Sequence, residues 1–78
     1  MEQDQIEAFQ KLERGMQMFP HSVFKGMFSY QMKDVIKKRL KNKETPDSIY
    51  NYFTDEPTVV RILSYCQIDL DTFRSWIK

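Results

Sequence analysis

The 78-residue chain has one cysteine, one histidine, two glycines and three prolines, and no long apolar run. Each scarcity excludes something. A lone Cys66 cannot close a disulfide within the chain, which fits a reducing, intracellular setting. One histidine and one cysteine make no ligand set for structural zinc, and neither a metal nor a cofactor is expected. His21 and Ser22 are chain neighbours and form no triad, and no glycine-rich phosphate loop is present. No catalytic residue is expected, and the protein reads as non-enzymatic. No stretch approaches the ~20 apolar residues that cross a bilayer. The acidic start MEQDQIEAFQ also lacks the basic and apolar regions of a signal peptide. The expected location is cytoplasmic, with no membrane partner.

What is present, 41% hydrophobic and 29% charged residues, is the composition of one small domain spanning residues 1–78. A domain of this size buries only roughly 60% of the surface its unfolded chain exposes. A partner, or a second copy in a homodimer, is a natural source of additional stability. With so few breakers and helical spacing throughout, the expected fold is all-α, a compact bundle of about five short helices.

Ile6, Phe9, Leu12 and Met16 recur at spacings of three and four, which predicts a first helix over about 3–16. Ser22 is a candidate cap for a second helix running to about Lys41. There Phe24, Phe28, Met32, Val35 and Ile36 share an arc of roughly 120°. Gly26 marks either a weak point of that helix, a bend, or a place where another backbone comes close. Thr45 and Pro46 are the cap and first residue of a third helix, about 46–53. Val59, Ile62, Leu63 and Cys66 form the apolar face of a fourth, about 56–66, in which Cys66 is a small buried hydrophobe. Asp69 caps the last helix, with Ile68 placed to contact Phe73, and Leu70, Phe73, Trp76 and Ile77 form its buried stripe.

Charge is unevenly distributed although the net is only +1. Residues 25–43 hold Lys25, Lys33, Lys37, Lys38, Arg39, Lys41 and Lys43 against Asp34, a local excess of six positive charges. Residues 44–78 carry a net −3. A basic helix face that follows a phosphate backbone is one use for the first segment, with Lys33, Lys37, Lys38, Arg39, Lys41 and Lys43 as contacts. Tyr30, Tyr50 and Tyr52 are available for base stacking. A solvated surface is the plainer use. The methionine and phenylalanine surplus between 16 and 32 supplies core first. Val23 and Met27 fall off the main stripe of their helix, and with Met18 and Phe19 they make a candidate patch for a protein partner.

Residues 59–78 carry Ile62, Cys66, Ile68, Phe73 and Trp76 at the five apolar places of a twenty-residue helix-turn-helix pattern. This quarter of the chain resembles the generic helix-turn-helix DNA-binding unit, and DTFRSWIK is similar to the second helix of recombinase-like and homeodomain-like units. The resemblance implies that the last three helices are arranged as in such a unit and that Arg74 contacts a base. Leu63 and Gln67 stand where that family has a small residue and a turn glycine. Asp69 and Asp71 place carboxylates on the would-be reading helix, where phosphate repels them.

Two functions follow. One is a small regulatory protein that binds DNA or another nucleic acid through the basic helix and the C-terminal half. The alternative is an adaptor or inhibitor that docks on another protein.

Overall fold

A computed structural model describes residues 2–78 of the chain, with side chains from Gln5 onward. Five α-helices follow one another: α1 (Glu2–Arg14), α2 (His21–Lys41), α3 (Pro46–Thr54), α4 (Pro57–Tyr65) and α5 (Leu70–Ser75). A single 3-10 turn, Met16–Met18, lies between α1 and α2. No strand occurs among the described residues. The radius of gyration is 11.9 Å, close to the ~11.5 Å of a tightly packed chain of this length. The bundle is therefore all-α and closed around one core.

The boundaries have local causes. Pro20 disfavours a helical conformation at the preceding residue, and Phe19 is extended (φ −121°, ψ 151°). The α2 helix therefore opens after Pro20, whose carbonyl accepts from the Phe24 amide at 3.0 Å. Ser22 lies inside the first turn and is not the cap, a correction to the boundary expected from its side chain alone. At α3, Thr45 Oγ1 accepts from the Ser48 amide at 3.2 Å and Pro46 takes the first helical position. At α5, Asp69 Oδ1 accepts from the Thr72 amide at 2.7 Å.

Two helices end in the same way without glycine. After α4, the Gln67 amide donates to the Ser64 carbonyl (3.1 Å) and the Ile68 amide to that of Leu63 (2.9 Å), a Schellman closure. Gln67 sits at φ 58°, the left-handed region in which a side chain is disfavoured. After α2, the Lys43 amide donates to Leu40 and the Glu44 amide to Arg39, with Lys43 at φ 73°. Gln67→Gly is expected to stabilise the protein by about 0.5–1 kcal/mol by relieving this conformation. A urea midpoint equal to or below that of the parent chain would show that the glutamine is held there at no cost.

Five phenylalanines, Phe9, Phe24, Phe28, Phe53 and Phe73, are fully buried. Phe9 is the hub, edge-on to Phe28 (5.7 Å between centroids) and to Phe53 (6.1 Å). It brings α1 onto rings from α2 and α3. The remaining core comes from Ile6 of α1, Met32, Val35 and Ile36 of α2, Ile49 of α3, and Val59, Ile62 and Leu63 of α4. Cys66 is buried among them, and that burial pushes its thiol pKa up, away from reactivity. Leu12 and Met16 reach only the core's edge. Leu70 departs from the expected stripe: it is 49% exposed, while Ile68, Phe73 and Ile77 are buried. The chain turns after α4 at the left-handed Gln67, Ile68 next to it is buried, and α5 buries Phe73 with Leu70 left outside.

Distant helices are also pinned by polar contacts. Arg61 of α4 donates to both carboxylate oxygens of Glu13 on α1, at 2.6 and 3.0 Å. That hydrogen bond holds the Glu13 carboxyl below its ordinary pKa, against a smaller opposing effect of burial. The Thr72 backbone amide does the same for Asp69. Both groups titrate lower folded than unfolded. Their contribution is therefore complete above the ordinary carboxylate range and is lost as pH falls through the folded values. Stability should decline on acidification below about pH 4.5. Glu13→Gln should flatten that decline in urea titrations between pH 7 and 3, and an unchanged slope would remove Glu13 from the explanation.

Candidate docking face on the second helix

The fold withdraws one of the basic residues of α2 from the surface and leaves its lysines exposed. Arg39 is 3% exposed and is taken out of the surface entirely. Its Nε donates to Gln5 Oε1 at 3.0 Å and its Nη1 to Glu44 Oε1 at 2.8 Å. The guanidinium lies 4.3 Å from the Tyr52 ring centroid and 5.1 Å from that of Phe53. The expectation that Arg39 meets phosphate is thereby corrected, because its charge is spent inside the bundle. The signal was in the spacing: Arg39 follows Met32 by seven residues and Val35 by four, on the buried arc of α2.

Arg74 donates to Asp47 Oδ1 at 2.6 Å and lies 4.7 Å from the Tyr50 ring centroid. It ties α5 to α3. Lys33 lies over the Trp76 ring at 4.9 Å, and Lys38 pairs with Asp34 one turn earlier on its own helix at 3.1 Å. Lys37, Lys41 and Lys43 are exposed, and among the described residues they make no ion pair. Tyr50 and Tyr52 are half-buried beneath the two arginines, so of the three tyrosines only Tyr30 stands in solvent.

The four apolar candidates are all at the surface. Met18 is 82% exposed, and Phe19, Val23 and Met27 are exposed as well. Tyr30, 79% exposed, continues the series. At 100° per residue, Val23, Met27 and Tyr30 fall within about 60° of one another. They form one lane on the side of α2 opposite Phe28 and Met32. Asp34, Lys37 and Lys41 lie on the same lane further along. The outer face of α2 is therefore apolar in its first half and, beyond Asp34, which is paired with Lys38, basic in its second. Tyr30 was readable as part of this lane from its position three residues after Met27 and seven after Val23. Exposed Val60 falls off the stripe of Val59, Ile62, Leu63 and Cys66 and was readable in the same way, whereas Leu70 sits at a spacing from Phe73 and Ile77 that also suits a core.

Gly26 borders the apolar lane. The α2 helix runs through it without interruption, and a Cβ placed there meets nothing within 4 Å. The glycine therefore serves neither a bend nor a close approach within this chain. Gly26→Ala is expected to stabilise the isolated protein by about 0.5–1 kcal/mol, the usual cost of glycine inside a helix. Thermal unfolding checks it, and an unchanged or lower midpoint would indicate a constraint at residue 26.

The start of α2 is fixed to the end of α4. His21 Nε2 lies 2.7 Å from the Tyr65 carbonyl oxygen, so this nitrogen carries the proton it donates. The His21 ring lies 5.0 Å from that of Tyr65, which also meets Phe24 edge-on at 5.6 Å. The apolar half of the outer face is thus carried on a helix anchored at its beginning by polar and aromatic contacts and along its length by the core.

These features define a small all-helical bundle with a two-part outer face on its longest helix. No family model, no curated protein and no solved structure matches the chain. No helix among the described residues is long and apolar enough to cross a membrane.

Proposed function

We propose that the protein is a non-enzymatic docking module, an adaptor or inhibitor that acts by presenting the outer face of α2 to another protein. The observation that carries this reading is the exposure of Val23, Met27 and Tyr30 along one lane of α2, with Met18 and Phe19 exposed just before the helix begins. Scattered apolar residues are ordinary on a surface, whereas a contiguous set on one helix face is characteristic of an interface. Methionine suits such a face because its unbranched, polarisable side chain adapts to the shape opposite.

The test is a tagged pull-down from the source lysate treated with nuclease, followed by identification and purification of what is retained. The expected result is a protein that rebinds the purified parent chain but not Met27→Glu. Recovery of nothing after nuclease treatment would overturn the reading.

Nucleic-acid binding is the second reading, supported by Lys37, Lys41 and Lys43. Phosphate contacts of this kind need no particular base chemistry and weaken steeply with salt. The reading ranks lower because Arg39 is buried and Arg74 is held by Asp47. A mobility-shift assay on duplex and single-stranded probes at low salt tests it, and no retardation would dismiss it.

A further inference from the structure

The two halves of the α2 outer face differ in chemistry, and that difference selects a partner. We propose that this face docks an amphipathic helix of a partner protein running antiparallel to α2. The partner's first turns are acidic and lie beside Lys37 and Lys41; its later turns carry an apolar stripe over Val23, Met27 and Tyr30. The proposal rests on the protein-docking reading above.

Three observations carry it. The first is the sequence of surfaces along one lane. Val23 to Tyr30 covers about 10 Å and Val23 to Lys41 about 27 Å at 1.5 Å per residue. A partner helix of about 18 residues spans both halves. The second is charge. Lys37 and Lys41 have no acidic partner among the described residues, and Lys38 is held only by Asp34. Acidic side chains opposite them supply that complement and fix the register of the apolar contacts. The direction follows from the same charges. Carboxylates are most stable in the first turn of a helix, and the partner's positive N-terminal end then lies at the negative C-terminal end of α2.

The third observation is Gly26. It weakens α2, and open space surrounds its Cβ position. A residue that gives nothing to the isolated fold, placed beside the apolar lane, lets a partner backbone approach closely. Met18 and Phe19 are exposed in the segment just before α2 begins.

The probe is a fluorescein-labelled 18-residue helical peptide with glutamates in its first two turns and a leucine stripe in the remainder. A matched peptide carries lysines in place of the glutamates. Binding is followed by anisotropy against the full chain. The glutamate peptide should bind at least about tenfold tighter than the lysine peptide, by a margin that shrinks with added salt. The double variant K37E/K41E, with both positions exposed and the fold verified by circular dichroism, should reverse that preference. Gly26→Leu should weaken binding of the glutamate peptide, while Gly26→Ala raises the urea midpoint.

Equal binding of the two peptides, no binding of either, or an unreversed preference in K37E/K41E would overturn the proposal. So would preferential binding of duplex DNA or anionic vesicles under the same conditions, or self-association of the chain that V23E/M27E abolishes. The two levels separate cleanly in the pull-down. A retained protein lost with V23E/M27E but indifferent to K37E/K41E and to salt leaves the docking reading standing and removes the acidic helix. A retained protein indifferent to V23E/M27E removes both.

Discussion

Replacing Phe9 by alanine should cost about 4 kcal/mol of folding stability, the upper range for deleting a buried ring. Phe9 is fully buried and is edge-on to rings from two other helices, Phe28 of α2 and Phe53 of α3. Truncation therefore removes the transfer free energy of the side chain and two ring pairs, and leaves a cavity among residues of α1, α2 and α3. A chain of 78 residues has a total stability of about 4–12 kcal/mol, so the substitution consumes a third or more of it. The melting temperature should fall by roughly 15–30 °C. Urea unfolding at 25 °C is the direct measurement. A midpoint less than about 1 M below that of the parent chain would mean that the ring is not the hub its contacts describe.

Arg39 should give the second largest effect, and one whose sign depends on the replacement. Arg39→Ala is expected to cost about 3 kcal/mol, because it deletes a buried side chain packed on Tyr52 and Phe53 and leaves Glu44 and Gln5 without their donor. Arg39→Met fills much of the same volume and needs no counter-charge, so it should recover most of that loss. Buried ion pairs are often replaceable by apolar residues of similar size at little net cost. If methionine proves as damaging as alanine in urea unfolding, the charge and its hydrogen bonds are the stabilising element rather than the packing. Neither outcome involves the surface of α2, which makes Arg39 a useful control for the docking experiments.

These two residues also show how much of the fold was legible beforehand. Ile6 and Phe9 announced the inner face of α1 through their spacing, and Thr45 and Asp69 announced helix starts because a cap acts within three residues of itself. Ser22 misled for the complementary reason. A side chain able to cap was present, but the rigid φ of Pro20 and the extended Phe19 had already set the boundary. Leu70 misled because it shares the helical spacing of Phe73 and Ile77, yet as the first residue of α5 it is left exposed.

The candidate site divides along the same line. Val23 and Met27 could be singled out because they fell off the apolar stripe of their helix, and Met18 and Phe19 because they belong to the same methionine- and phenylalanine-rich stretch, both local properties. Arg39 was legible in part, since its spacing from Met32 and Val35 puts it on the buried arc of α2, whereas Arg74 is held by Asp47, 27 residues away in the chain. A cluster of positive residues in sequence is thus only a partial guide to a positive surface. Of the seven basic candidates Arg39 is buried, Arg74 and Lys38 are paired with Asp47 and Asp34, and Lys33 rests on an aromatic ring.

The link between Glu13 and Arg61 has a consequence for the order of events in folding. It joins residues 48 positions apart, whereas the turn and cap contacts at Lys43, Thr45, Gln67 and Asp69 close within five residues. Local closures form early because little chain entropy is lost in making them, and the α1 to α4 contact must await the meeting of distant segments. Loosening that contact should therefore appear mainly as faster unfolding, with the refolding rate nearly unchanged. The lifetime of the folded bundle, more than the speed of its assembly, is governed by how firmly its first helix is held.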